Sequence, residues 1–244
     1  MKGHTHALIG LAAVSFLPLA ENAAATEKLL PYAFAFTGSL ICDIDTGKST
    51  ISSAFSPIKL KYIKAAVNFV FALFMIVGAL FLRNSEYIYL FVLLVILGGL
   101  NLNNISSKIF NAIKKAVVIL ISSALIITGF FFWHIPLVLL GLYLLSLQLS
   151  THRGYSHSII AVILAFIILR YTFRFYGIFD YSLSFSVGML SHVLGDMCTQ
   201  RGVDLLFPVK KKYSFPLTFK TGSIIEWIFC IISVLIILNS ALIS

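Results

Sequence analysis

Charge is what this chain has least of. Asp, Glu, Lys and Arg make up 11% of its 244 residues, against roughly a quarter in soluble globular domains. With 59% hydrophobic residues and a mean hydropathy of +1.00, that scarcity excludes a soluble domain and points to an integral membrane protein. Cysteine is also sparse: Cys42, Cys198 and Cys230 lie far apart with no C-x-x-C pair, so neither a disulfide framework nor a thiolate zinc site is indicated. They read as small core residues. No internal repeat and no long linker divide the chain, so residues 1–244 read as one integral membrane domain. The apolar stretch 7–20 superficially resembles a signal peptide, but two histidines within the first six residues and no small-residue cleavage site before Glu21 favour a retained segment.

What is present is a series of apolar runs, at 7–20, 29–42, 62–82, 87–102, 116–133, 135–149, 158–179, 182–198 and 223–243. A span takes about 20 residues. The pattern predicts an all-α, polytopic transmembrane bundle of about 7 to 9 segments. The first two runs are short and hold Pro18, Pro31 and Gly38, which fits short or re-entrant passage. The net charge of +9 resides in short segments between apolar runs rather than along one polar face, so nucleic acid is not an expected partner. Topology explains it better. If the N-terminus is cytoplasmic and all nine runs cross, fourteen of the eighteen Lys and Arg fall on the cytoplasmic side, as the positive-inside rule requires. The expectation is N-terminus in and C-terminus out, with lipid as the surroundings. The polar segments 43–61 and 199–222 are then cytoplasmic and expected to cover a site, and Lys210, Lys211 and Lys212 act as an orientation signal that attracts anionic lipid.

The same threading brings His6, Asp43, Asp45, His152, His157, His192, Asp196 and Glu226 to the cytoplasmic ends of the runs. His192 and Asp196 lie four residues apart, which puts both on one helix face. Ionisable groups inside membrane segments are costly and by default mark a site. An isolated histidine in an apolar protein is usually a hydrogen-bonded core residue; convergence of several segments argues for more. Imidazole with carboxylate suits a divalent metal, Zn or Mn foremost, as one ion or two. Asp43, His152, His157, His192 and Asp196 are the first choices as ligands, with Asp45 and His6 completing the set. Two further residues carry candidate catalytic roles. Arg153 could grip a phosphate in a bidentate fork or serve only as a topology charge, and Glu226 could be a general base or, slightly preferred, a carboxylate that orients a ligand. His4 reads as a solvated terminal residue. His134, beside Trp133 and Pro136, is excluded as an interfacial residue of the opposite face, where Arg170 and Arg174 snorkel.

The blocks His152-Arg153-Gly154-Tyr155-Ser156-His157-Ser158 and Ser191-His192-Val193-Leu194-Gly195-Asp196-Met197-Cys198-Thr199-Gln200-Arg201-Gly202-Val203-Asp204-Leu205-Leu206-Phe207-Pro208 resemble the two signature blocks of the YdjM-like family of predicted membrane-bound metal-dependent hydrolases. Thr5-His6, Asp43-Ile44-Asp45 and Thr221-Gly222-Ser223 with Glu226 resemble its remaining blocks in the same order. The resemblance covers the whole chain and implies a polytopic inner-membrane protein with a metal site. The chain departs from it at Thr46, where the family commonly has histidine, and at Cys42, where it has proline, which ranks Asp45 behind Asp43.

Three function classes follow as expectations. The first is a hydrolase acting at the cytoplasmic leaflet on a phosphoester of a lipid or another amphipathic anion. The second is a transporter that binds a metal or couples protons, for which the site should lie near the bilayer midplane between related halves. The third is a metal-stabilised scaffold without catalysis.

Overall fold

A computed structural model describes residues 1–17, 25–45 and 58–243, without the side chains of 25–27, 45 and 241–243. Eight α-helices account for most of the described residues: α1 (Gly3–Val14), α2 (Ala25–Ile41), α3 (Leu60–Leu82), α4 (Ile88–Phe131), α5 (Ile135–Leu149), α6 (Ile159–Phe175), α7 (Ser182–Met197) and α8 (Ile224–Ile243). Single 3-10 turns at Cys42–Asp45 and Tyr155–His157 follow α2 and precede α6. Among the described residues the only β pairing is two isolated bridges, Thr199 with Phe219 and Val203 with Tyr213.

The eight helices fall within the expected number of segments, but two apolar runs are differently joined. Runs 87–102 and 116–133 form one continuous helix, α4, of 44 residues. The polar stretch between them, residues 103–115, contains neither proline nor glycine, so nothing in it stops a helix once started. At about 1.5 Å per residue α4 measures roughly 66 Å along its path, about twice a bilayer's hydrocarbon core. Among the described residues, α3 and α4 are the helices long and apolar enough to span unaided; α5 and the 224–240 part of α8 are shorter apolar helices. α1, twelve residues or about 18 Å, is too short to cross, and its buried Thr5, His6, Ala7, Gly10, Ala12 and Val14 are covered by protein. Pro31 sits inside α2 without ending it; Pro18 and most of segment 43–61 lie outside the described residues.

The chain divides into two compact units, one of Met1–Ala54 with Val118–Ser244 and one of Phe55–Val117. The smaller unit is a pairing of α3 with the first part of α4. Phe74 meets Phe91 at a centroid distance of 5.5 Å, and Phe91 fills the space over Gly78. Its Phe69, Leu73, Ile76, Leu80 and Phe81 remain exposed. Such an apolar exterior is what lipid covers.

In the larger unit α7 is the central helix, packed on α1, α2 and α6. It can approach α2 closely because both present glycine. A Cβ at Gly38 would run into the Phe185 carbonyl, and one at Gly188 into the Ala35 carbonyl, the small-residue contact by which membrane helices gain dispersion energy. Tyr143 of α5 donates to the Ala161 carbonyl at 3.0 Å and to Met189 Sδ at 3.3 Å, tying α5, α6 and α7. The segment 198–222 then folds back onto the end of α7: Phe215 and Phe219 donate to the Met197 and Cys198 carbonyls, and Val203 and Tyr213 exchange both main-chain hydrogen bonds.

Candidate metal centre

Five stretches of chain place polar side chains at one end of the larger unit. α1 brings His6, the turn after α2 brings Asp43, the turn before α6 brings His152 and His157, the last two turns of α7 bring His192 and Asp196, and the start of α8 brings Glu226. Ser158 fixes the second of these turns, capping α6 with its hydroxyl on the Ala161 N–H at 3.2 Å.

Two triads result. In each, one ligand atom per residue lies within 4.8 Å of the others: His6, His192 and Asp196 form one, and Asp43, His152 and His157 the other. They share an edge, since His157 Nε2 is 3.2 Å from His192 Nε2, 3.5 Å from Asp196 Oδ2 and 3.6 Å from Asp43 Oδ1. His192 Nε2 is 3.8 Å from Asp43 Oδ1, His6 Nε2 is 3.3 Å from Asp196 Oδ1, and His152 Nδ1 is 3.9 Å from Asp43 Oδ1. Most of these separations are too long for a good hydrogen bond. They suit donors around a shared cation, because bonds of about 2.1 Å in a tetrahedron set ligand atoms about 3.4 Å apart.

Orientation of the rings supports the fit. The Ser39 carbonyl can only accept, so His192 Nδ1, 2.6 Å away, carries the proton and donates to it, leaving the Nε2 lone pair facing the cluster. The His6 ring stacks on His192 at 3.7 Å. Its Nδ1 is buried with no hydrogen-bond partner among the described residues. His6, His157 and His192 are each at most 1% exposed, so water does not compensate them.

The charges are correspondingly displaced. Burial pushes the Asp43 carboxyl upward, but the facing His157, His192 and His6 imidazoles more than reverse this and hold it well below the usual carboxylate range. Burial likewise opposes the charge on His157; Asp196 and Asp43 outweigh it and raise that imidazole above its ordinary value. Both shifts are those of groups held among opposite charges.

The remaining expected residues have distinct places. Arg153 is buried and its fork is directed inward: Nη2 is 3.1 Å from Asp196 Oδ2, and Nη1 donates to Thr199 Oγ1 at 3.0 Å. Its backbone is left-handed, at φ +63°, a conformation that costs a non-glycine residue about 1–3 kcal/mol. The conformation is held because the Arg153 carbonyl accepts from the Asp204 N–H at 2.9 Å and from Lys212 Nζ at 3.1 Å. Glu226 contacts the start of α1 and its own first turn. It accepts from the Lys2 and Gly222 N–H groups and from Thr5 Oγ1 at 2.9 Å, one residue from His6. The Asp45 side chain lies outside the described residues. His4 is exposed beside Trp227, and His134 bonds Tyr176 at 2.9 Å, with Phe175 alongside.

Three participants carry no sequence signal of their own: the Ser39 carbonyl, the main-chain N–H of Lys2, and the amino group of Met1, 2.9 Å from Asp196 Oδ1. Thr199 was visible within the second signature block, but its link to Arg153 depends on how the chain turns after α7.

Fold and site together define an all-helical membrane protein with a His and Asp cluster at one end of its bundle. The family described as YdjM inner membrane protein matches residues 1–243, and the chain belongs to it. It is 35% identical to the uncharacterized protein YvsG of Bacillus subtilis (strain 168) over 75 residues, 31% of this chain and 45% of that one. To the inner membrane protein YdjM of Escherichia coli (strain K12) it is 34% identical over 82 residues, 32% of this chain and 42% of that one. The chain thus spans less than half the length of these curated relatives. No solved structure matches it.

Proposed function

We propose that the protein is a membrane-bound metal-dependent hydrolase whose substrate is a phosphoester of a lipid or another amphipathic anion. The observation that carries this reading is the convergence of six His and Asp side chains, from four separate stretches, at ligand-like separations. His6, His192 and Asp196 would hold one divalent ion, Zn or Mn, and Asp43, His152 and His157 a second. Such an ion supplies a bound water of lowered pKa and polarises the bond to be cut. The chain's own groups orient and balance. Ser39 fixes the His192 ring, Arg153 sets a fixed positive charge against Asp196, and Glu226 acts as a positioning carboxylate that holds Thr5, and with it His6, rather than as a general base.

The site end is assigned to the cytoplasm. Lys2, Arg153, Arg201, Lys210, Lys211, Lys212 and Lys220 lie in segments at that end of the larger unit, whereas Arg170 and Arg174 lie at the far end of α6, the asymmetry of the positive-inside rule. α8 starts at the site end and runs away from it, so N-terminus in and C-terminus out follow. Single cysteines introduced as Lys211→Cys and Arg174→Cys should label from opposite sides of sealed vesicles.

The functional test is metal content together with phosphoester turnover in purified His192→Ala and Asp196→Ala proteins. Both are expected to lose bound metal and turnover; full metal retention in both would defeat the ligand assignment.

A further inference from the structure

Beside the two triads lies a pocket of about 430 Å³, within the usual size range for small-molecule sites. Four stretches wall it: Met1 ahead of α1, the turn before α6 with His152 and Arg153, the exit of α7 with Thr199 and Arg201, and the approach to α8 with Lys220 and Thr221; the Met1 amino group, like Arg153, is paired with Asp196. No acidic residue is among the described lining. Arg153 is already matched by Asp196, so Arg201 and Lys220 supply the excess positive charge. Neither forms an ion pair among the described residues. Arg153 is only 9% exposed, and its Nε–H has no hydrogen-bond partner among the described residues.

We propose that this pocket is an anion subsite that takes the phosphate group of the ligand, with Arg201 and Lys220 as its binding residues and the Thr221 hydroxyl as a supporting donor. Exposed guanidinium and ammonium groups with a hydroxyl match the tetrahedral, multiply accepting oxygens of a phosphate. His152 belongs both to this wall and to the Asp43 triad, so an anion seated here lies next to the groups assigned to the metal. Phe219 lines the same pocket and stacks on Phe229 of apolar α8 at 5.7 Å, which gives the phosphate group an apolar neighbour.

The subsite rests on the hydrolase reading for its chemical purpose but not for its test. Binding of inorganic phosphate, glycerol phosphate and short-chain phosphatidate is measured by calorimetry on the full chain in detergent, after chelation of metal. The wild type is expected to bind phosphate, and Arg201→Ala with Lys220→Ala to weaken it about tenfold or more, with metal uptake unchanged. Arg201→Lys with Lys220→Arg is expected to keep affinity within about threefold, which separates lost charge from lost fold. Tighter binding of phosphatidate than of glycerol phosphate would assign a lipid headgroup as the source, and equal binding a soluble phosphate; either supports the subsite. Absence of phosphate binding by the wild type, or equal binding by the double alanine variant, overturns it. Loss of metal or turnover in the His192→Ala protein bears on the hydrolase reading alone, since phosphate binding is read without metal.

Discussion

The two ends of the larger unit are built by opposite means. At the far end, aromatic groups satisfy one another directly. Phe34 stacks on Tyr181 at 5.0 Å and meets Phe173 edge-on, His134 bonds Tyr176, and Arg170 lies 3.8 Å from Asp180. At the other end, imidazoles and carboxylates are gathered at distances mostly too long for good mutual hydrogen bonds, beside a left-handed Arg153. One end is complete as a set of protein contacts. The other gathers imidazoles and carboxylates from four stretches of chain, and the proposed metal site rests on that difference.

The largest effect is expected at Asp196, which faces His6, His157 and Arg153. Asp196→Ala leaves a buried guanidinium without its partner, a change expected to cost about 3–5 kcal/mol. Thermal denaturation of the metal-free protein in detergent checks the loss, and added metal should raise the melting temperature less than in the wild type. A smaller effect is expected where both ends depend on one helix contact. Gly188→Val forces α7 away from α2, an overpacking cost of about 1–3 kcal/mol; it should also lower metal affinity, because His192 and Ser39 sit on those two helices. Tyr176→Phe removes one hydrogen bond at the far end, worth about 1 kcal/mol, and should leave metal content untouched. An equal loss of metal in this variant would show that the ends are not separable.

The smallest effect is a dependence on pH. His157 has its pKa raised in the folded protein, so its contribution to stability is present in full below about 6.5, the ordinary imidazole value, and is lost as pH rises through the raised value. In the metal-free protein, the stability difference between wild type and His157→Gln should therefore shrink on going from mildly acidic to alkaline pH, as read from denaturation at a series of pH values. Metal affinity should move the other way, since the ligating imidazole must first lose its proton.

Helicity and the pairing of His192 with Asp196 were legible because each rests on a local rule. Apolar run lengths announce helices, and the spacing of His192 and Asp196 places them on one face. Three features were not legible, for physical reasons. The union of two runs in α4 depends on the absence of a breaker in a polar stretch, a weak signal beside strong hydropathy. The inward turn of Arg153 depends on a left-handed backbone held by Asp204 and Lys212 from a distant segment. The partners of Glu226 are main-chain N–H groups, which a string of side chains does not display.

The imidazoles and carboxylates of the cluster are proposed to hold a divalent ion. Elemental analysis of the purified protein after Zn or Mn loading and desalting, for wild type and for His157→Ala with His192→Ala, tests it most directly. One to two equivalents in the wild type and none in the variant, with unchanged helical circular dichroism, is the predicted result; a metal-free wild type, or a variant that keeps its metal, would contradict it.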